Sequence, residues 1–219
     1  MLTYEIYPKS LYKPKKLVIM LHGYGSNRND LIHIAPDLYE FIPQSSFISP
    51  NAPFIFEGRI KSLGRQWFSL TDRSKQSLSY QIKKSETLLK NFIIEQLEKF
   101  NLTEKDLCLL GFSQGAMMAI HILLKLQIKP AVVVGFSGKL LQNEYEFASR
   151  STQKITKVLL IHGQKDDIIL VEDMYEIQKL LQSYHYQTFA YVSKKLGHGI
   201  DQEGVKLCSN FLKRFLYNN

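Results

Sequence analysis

Ten residues, Leu107-Cys108-Leu109-Leu110-Gly111-Phe112-Ser113-Gln114-Gly115-Ala116, constrain this chain more than any other stretch. A short apolar run ends in Gly-Phe-Ser-Gln-Gly, and a helical pattern begins at once behind it. This is Gly-x-Ser-x-Gly in strand–turn–helix context. A serine at so sharp a turn occupies a strained backbone region with its hydroxyl pushed outward, and the chain passes close to itself on either side. Gly111 and Gly115 remove the Cβ atoms that would collide there. The next backbone N–H groups face outward from a helix N-terminus, where they stabilise developing negative charge. A glycine-rich βα turn without chemistry shares the five-residue pattern, so the rest of the chain has to decide.

Length and charge narrow the field. The 219 residues suit one α/β domain over 1–219, with enough chain to bury a large core. Cys108 and Cys208 fall in apolar segments and read as buried free thiols of a reducing compartment. No apolar run has membrane-span length and the N-terminus lacks a signal-peptide core, so a cytoplasmic location is expected. The net charge of +8 comes from scattered lysines such as Lys13, Lys15, Lys16, Lys83, Lys84, Lys194 and Lys195. They form no long run and accompany no nucleic-acid motif. The expected partners therefore exclude nucleic acid and extend at most to peripheral contact with an anionic membrane.

Taken in order, residues 2–7 suit an edge strand, and Leu17–Leu21 a strand buried on both faces. His22-Gly23-Tyr24-Gly25-Ser26-Asn27 closes it as a turn, and helical spacing follows over 28–41 through Leu31, Ile34, Ala35 and Leu38. Phe47–Pro50 is a short strand ended by Pro50-Asn51-Ala52-Pro53. An irregular stretch then runs to Asp72. Its aromatic residues, Phe54, Trp67 and Phe68 foremost, are the candidate wall for an apolar substrate. Residues 74–100 carry one apolar helical stripe, and 131–135 and 158–161 are buried strands. Helical spacing resumes over 171–184, then a strand over 187–192, a Leu196-Gly197-His198-Gly199 turn and a last helix through Val205, Cys208, Leu212 and Phe215. Strands separated by helices predict a mostly parallel central sheet wrapped on both faces, with the site on loops at the strand carboxyl ends.

Serine is a poor nucleophile until a base takes its proton, and the base needs an acid to hold its tautomer. In such a sheet the order is serine, acid, histidine, each on a loop after a later strand. His198 alone lies downstream of an acid, follows the last strand and stands between two glycines. His22 and His162 precede glycines at strand ends, where a histidine braces a turn. Asp166 and Asp167 follow the strand ending at Ile161 and are equal on spacing alone, with Glu172 as the outside candidate. Oxyanion donors are expected from the backbone N–H groups of Gln114 and Tyr24. Metal ligands are too dispersed to suggest a site, and no cofactor is required.

With these residues placed, the chain resembles the phospholipase/carboxylesterase group of α/β-hydrolases, which includes the acyl-protein thioesterases. The matching stretches are Leu21-His22-Gly23-Tyr24-Gly25, Pro50-Asn51-Ala52-Pro53, Arg65-Gln66-Trp67-Phe68, Gly111–Gly115 with Met117-Met118-Ala119, His162-Gly163 with Asp166, and Gly197-His198. The resemblance implies Ser113 as nucleophile, Asp166 as acid, His198 as base, and Tyr24 and Gln114 as oxyanion donors. It implies an α/β-hydrolase fold that hydrolyses small-molecule or lipid-like esters of short to medium acyl chain. Lysophospholipase or acyl-protein thioesterase activity is the alternative. Asp167 stands where many members have proline, and Gly197-His198-Gly199 favours the plainer esterases. The short span from Val134 to Val158 leaves no room for a lid domain. A non-catalytic binding module of the same fold would lack a triad member, and none is missing. Family members often pair, so a homodimer stays open.

Overall fold

Two sequence periods, alternation in strands and 3.6 residues in helices, account for the layers. The computed structural model describes residues 2–10, 13–58, 63–72, 74–125, 128–141 and 156–218. In chain order the strands are β1 (Tyr4–Tyr7), β2 (Lys16–Leu21), β3 (Ser45–Pro50), β4 (Phe54–Ile55), β5 (Arg65–Gln66), β6 (Leu107–Phe112), β7 (Val132–Phe136), β8 (Lys157–Gly163) and β9 (Gln187–Ser193). The α-helices are α1 (Ala35–Phe41), α2 (Lys75–Phe100), α3 (Gln114–Leu124), α4 (Val171–Ser183) and α5 (Gln202–Leu212). Among the described residues, seven strands share one sheet in the spatial order β1-β3-β2-β6-β7-β8-β9. The edge strand β1 runs antiparallel to β3, and every other neighbour pair in that sheet is parallel. This is the mostly parallel sheet that the alternation of strands and helices predicts, and the fold that the resemblance implies.

Alternate residues of each inner strand feed two separate cores. Leu17, Ile19, Leu21, Leu109, Val133 and Leu160 pack with α2, α3 and α4. Val18, Met20, Cys108, Leu110, Val134 and Ile161 pack with α1 and α5 on the other face. Both faces are therefore covered, as a parallel sheet requires. Every residue of α3 is buried, which explains its short, flexible side chains. The polar-faced α2 is capped at both ends. The Ser74 hydroxyl accepts from the Ser77 N–H, and Asn101 closes the helix in the left-handed region at φ 53°.

Two segments differ from their sequence expectation. The helix expected over 28–41 becomes a 3₁₀ turn at Leu31–Ile34 followed by α1. The reason is local: the Arg28 N–H donates to Asn51 Oδ1 and the Asn29 N–H to Asn27 Oδ1, which holds 27–30 in turns. The stretch expected to be irregular up to Asp72 contains the β4–β5 antiparallel pair. Part of the span between β7 and β8, 142–155, lies outside the described residues. No helix among the described residues is long and apolar enough to cross a membrane, and both cysteines are buried and free.

The sheet meets the helix layer most tightly where α3 starts. A Cβ on Gly115 would overlap the carbonyl of Leu21 at the end of β2, and one on Gly111 would overlap the backbone at Gly115 and Ala116. Backbone cannot yield as a side chain tip can. Gly115→Ala is therefore expected to lower stability by about 3 kcal/mol or to prevent folding, read by urea unfolding with circular dichroism. A variant melting with the wild type would contradict this packing.

Candidate active site

The backbone at Ser113 is the first element of the site. Between β6 and α3 it sits at φ 54° and ψ −119°, a conformation that costs a non-glycine residue about 1–3 kcal/mol. The Ser113 N–H donates to the Phe136 carbonyl at 2.9 Å and its carbonyl accepts from the Met117 N–H at 3.0 Å. The hydroxyl is thus fixed beyond the end of β6, at the carboxyl edge of the sheet.

Three side chains on separate loops meet there. Ser113 Oγ lies 3.0 Å from His198 Nε2, and His198 Nδ1 lies 2.8 Å from Asp166 Oδ2. An ionised carboxylate only accepts, so the imidazole proton belongs on Nδ1, leaving Nε2 free to accept from the Ser113 hydroxyl. The Phe112 ring stands beside the imidazole, 5.0 Å between centroids. The loop carrying His198 is tied to the acid loop: Gln164 N–H donates to Ser193 O at 2.8 Å and Lys165 N–H to Leu196 O at 2.9 Å. Asp201 closes its far end, accepting from the Ser193 hydroxyl and from the Gly204 N–H.

Between the two adjacent aspartates the structure brings Asp166 to the imidazole. Asp167 is exposed, and Glu172 is exposed on the first turn of α4. Asp166 Oδ1 accepts the N–H groups of Ile168 and Ile169 at 3.0 and 2.9 Å, which turns Oδ2 toward His198. Burial would push its carboxyl up. The Ile169 N–H, the His198 ring and the Ile168 N–H outweigh that and hold it below the usual carboxylate range. His162 donates from Nε2 to the Ile169 carbonyl at 2.9 Å, and the same nitrogen lies 3.3 Å from Asp166 Oδ2.

Residues 5–216 match the phospholipase/carboxylesterase family. The chain belongs to that family. Members are serine hydrolases, and so is this chain. It is similar to acyl-protein thioesterase 1 of Kluyveromyces lactis, 24% identical with 92% of each chain covered. It is also similar to esterase YpfH of Escherichia coli, 23% identical over 91% of this chain and 82% of that one. Among solved structures, esterase PE8 superposes with a TM-score of 0.80 at 28% identity, covering 98% of this chain and 99% of that one.

In this family member the aromatic stretch does something other than line an open wall. Trp67 is 0% and Phe68 3% exposed, both within the core beneath the site. The sequence expectation of Trp67 and Phe68 as wall residues is therefore corrected. Their polar groups explain the burial. Trp67 Nε1 donates to the His22 carbonyl at 3.0 Å, the Trp67 N–H donates to Gln114 Oε1 at 3.0 Å, and Gln114 Nε2 donates to the Phe68 carbonyl at 2.8 Å. Phe54 stays partly exposed, with Lys84 Nζ 5.3 Å from its ring centroid.

Residues 54–58 and 63–72 thus form a strap gripping both turns expected to supply oxyanion donors. Gln114 opens α3, and first-turn N–H groups have no intrahelical acceptor. Its side-chain amide is held at both ends by the strap. On the other side, Gly25 N–H donates to Arg65 O at 2.9 Å and Arg65 N–H to Ser26 O at 2.6 Å. The Tyr24 hydroxyl donates to Glu57 Oε1 at 2.6 Å. Sequence reasoning missed Glu57 and the Gln114 amide. The one available signal was that Glu57 is the sole acid from Phe54 to Leu70. Among the described residues, no group of three or more His, Cys, Asp or Glu side chains is placed to hold a metal ion.

His22 braces this arrangement as a neutral ring. Nδ1 donates to the Gly23 carbonyl at 2.7 Å and Nε2 accepts from the Ala52 N–H at 3.0 Å. Burial, opposed in part by the bond to Gly23, pushes its pKa down to about 4 from 6.5. The unfolded chain therefore takes up this proton near pH 6.5, and the folded chain resists it until about 4. Stability present above the upper value is lost as pH falls through that window. Unfolding free energies at about pH 7.5 and about pH 5 should differ by about 2 kcal/mol through this ring. Urea titrations of His22→Asn should show that difference shrink by a similar amount; an unchanged pH dependence would contradict it.

Proposed function

We propose that this chain is a serine carboxylesterase cleaving carboxylic esters of short to medium acyl chain, with Ser113 as nucleophile, His198 as base and Asp166 as its orienting acid. The observation that carries the reading is the unbroken line of hydrogen bonds from Ser113 Oγ through the imidazole to Asp166, starting from a strained serine. His198 Nε2 takes the hydroxyl proton as Oγ attacks the ester carbonyl. The N–H groups of Tyr24 and Gln114 receive the oxyanion, aided by the positive end of α3. Asp166 steadies the imidazolium without itself taking the proton. The imidazolium then protonates the departing alcohol, and water hydrolyses the acyl-enzyme by the same roles in reverse.

Apolar groups available to an acyl chain are the exposed Ile55, Leu63 and Leu70 on the strap and Ile168 and Leu170 just after the acid. Five scattered aliphatic side chains, with Trp67 and Phe68 turned into the core, suit a modest acyl length. A thioester carbonyl presents the same electrophile, and the similarity to an acyl-protein thioesterase keeps that substrate class, with lysophospholipids, as the second reading.

A series of p-nitrophenyl esters from acetate to palmitate, run beside lysophosphatidylcholine and palmitoyl-coenzyme A, tests both. The expected optimum lies between butyrate and octanoate. Ser113→Ala and His198→Ala should each lower kcat by about 10⁴-fold or more with little change in KM. A Ser113→Ala variant that keeps turning over ester would overturn the nucleophile. A kcat/KM for palmitoyl thioester above every p-nitrophenyl ester would move the reading to the thioesterases.

A further inference from the structure

Glu57 is exposed, yet its carboxylate is among the most heavily bonded groups of the strap. It accepts from the Tyr24 hydroxyl at 2.6 Å, the Ser69 hydroxyl at 2.6 Å, Gln66 Nε2 at 3.1 Å, and the N–H groups of Leu70 and Thr71 at 2.8 and 3.1 Å. Its own N–H donates to Gln66 Oε1 at 2.9 Å. Such a set of donors converging on a solvent-facing acid is unusual, because water would satisfy the carboxylate without ordering any chain.

The donors fall on two sides. Tyr24 belongs to the turn after β2. Gln66, Ser69, Leu70 and Thr71 belong to the outgoing half of the strap, which includes Trp67 and Phe68, the residues holding the Gln114 amide. Glu57 is therefore a side-chain link between the turn bearing one oxyanion donor and the segment gripping the other, beside the Trp67 indole on the His22 carbonyl. The Phe56 ring, next along the chain, packs edge-on to Tyr24 with centroids 4.9 Å apart and lies against Gly25, which has φ +78°. With the ring held by Phe56 and the hydroxyl by Glu57, the Tyr24 backbone has little rotational freedom left.

We infer that Glu57 is a positioning residue of the oxyanion hole, setting the Tyr24 N–H relative to the Gln114 N–H through the Tyr24 hydroxyl. The inference rests on the serine-hydrolase reading of Ser113 above and adds a residue that touches no reacting atom. Electrostatics agree with it. Burial would raise the Glu57 carboxyl, but the bonds from Ser69, Tyr24, Leu70 and Gln66 hold it far below the usual range. Burial and the bond to Glu57 push the Tyr24 hydroxyl up to about 12. Donor and acceptor thus keep their roles across the working pH range. Misplacing a donor loses part of what deleting it would lose, since hydrogen-bond strength in a pre-organised site depends steeply on geometry.

The test uses the full chain with Glu57→Gln, Tyr24→Phe and the double variant, and Ser113→Ala as control. It reads kcat and KM for p-nitrophenyl butyrate, and the affinity of an alkyl boronic acid whose tetrahedral adduct on serine mimics the oxyanion. Each single variant should lower kcat and weaken the boronate by about tenfold, with KM changed less than about twofold. The double variant should be no worse than Glu57→Gln alone, because both break one link. A strap acting only as scaffold would lower the melting temperature and leave kcat and boronate affinity in place, which would overturn the inference. So would effects that multiply, or a silent Tyr24→Phe. Tyr24→Phe deletes only a partly exposed hydroxyl, so it carries the test even if Glu57→Gln does not fold. Loss of turnover in Ser113→Ala alone, with both other variants like wild type, removes the role of Glu57 and leaves the hydrolase reading standing. A wild-type chain that neither cleaves esters nor binds boronate removes both.

Discussion

The backbone of Ser113, held at φ 54° between β6 and α3, is the constraint on which the rest of the molecule depends. Left to itself that residue would relax, since the conformation costs about 1–3 kcal/mol. It is held because β6 is paired on both sides and α3 is buried along its whole length, with its first turn backed onto the end of β2. Burying α3 and the strand ends contributes far more than the strain removes. Packing of the sheet and helix layers thus fixes one hydroxyl beyond the sheet edge. The glycines at 111 and 115 are what let the layers approach closely enough to do so.

The electrostatics follow from the same geometry. Asp166 is a buried carboxylate that stays charged because two backbone N–H groups and the His198 ring donate to it, with His162 Nε2 also beside it. That charge determines which nitrogen of His198 carries the proton, and so which one is free for Ser113. His22 shows the opposite solution. Its ring is kept neutral by burial and hydrogen-bonds the Gly23 carbonyl and the Ala52 N–H, with the Trp67 ring of the strap packed beside it. Two histidines following strand ends therefore differ in role because one faces a carboxylate and the other a carbonyl and an N–H.

Much of this was legible in the sequence, for physical reasons. Runs such as Leu17–Leu21 can only be strands buried on both faces, and Gly-x-Ser-x-Gly behind one of them leaves few alternatives to a sharp turn. His198 followed from chain order and its flanking glycines. Spacing left the acid as one of two residues, and the family resemblance pointed to Asp166. What separates Asp166 from Asp167 is a pair of backbone hydrogen bonds inside the loop, and spacing carries no sign of those. The 54–72 segment was least legible. Its aromatics suggested a surface, whereas Trp67 and Phe68 are buried by contacts to His22 and Gln114 more than forty positions away in the chain. Long-range pairing of that kind, and the convergence on Glu57, leaves no local pattern to read.

A crystal structure of the chain after reaction with an alkyl fluorophosphonate bears most directly on the central claim. The account predicts phosphorus bonded to Ser113 Oγ, a phosphoryl oxygen within hydrogen-bond distance of the Tyr24 and Gln114 N–H groups, and His198 still bonded to Asp166. An adduct on another residue, or a phosphoryl oxygen turned to solvent away from both N–H groups, would contradict it.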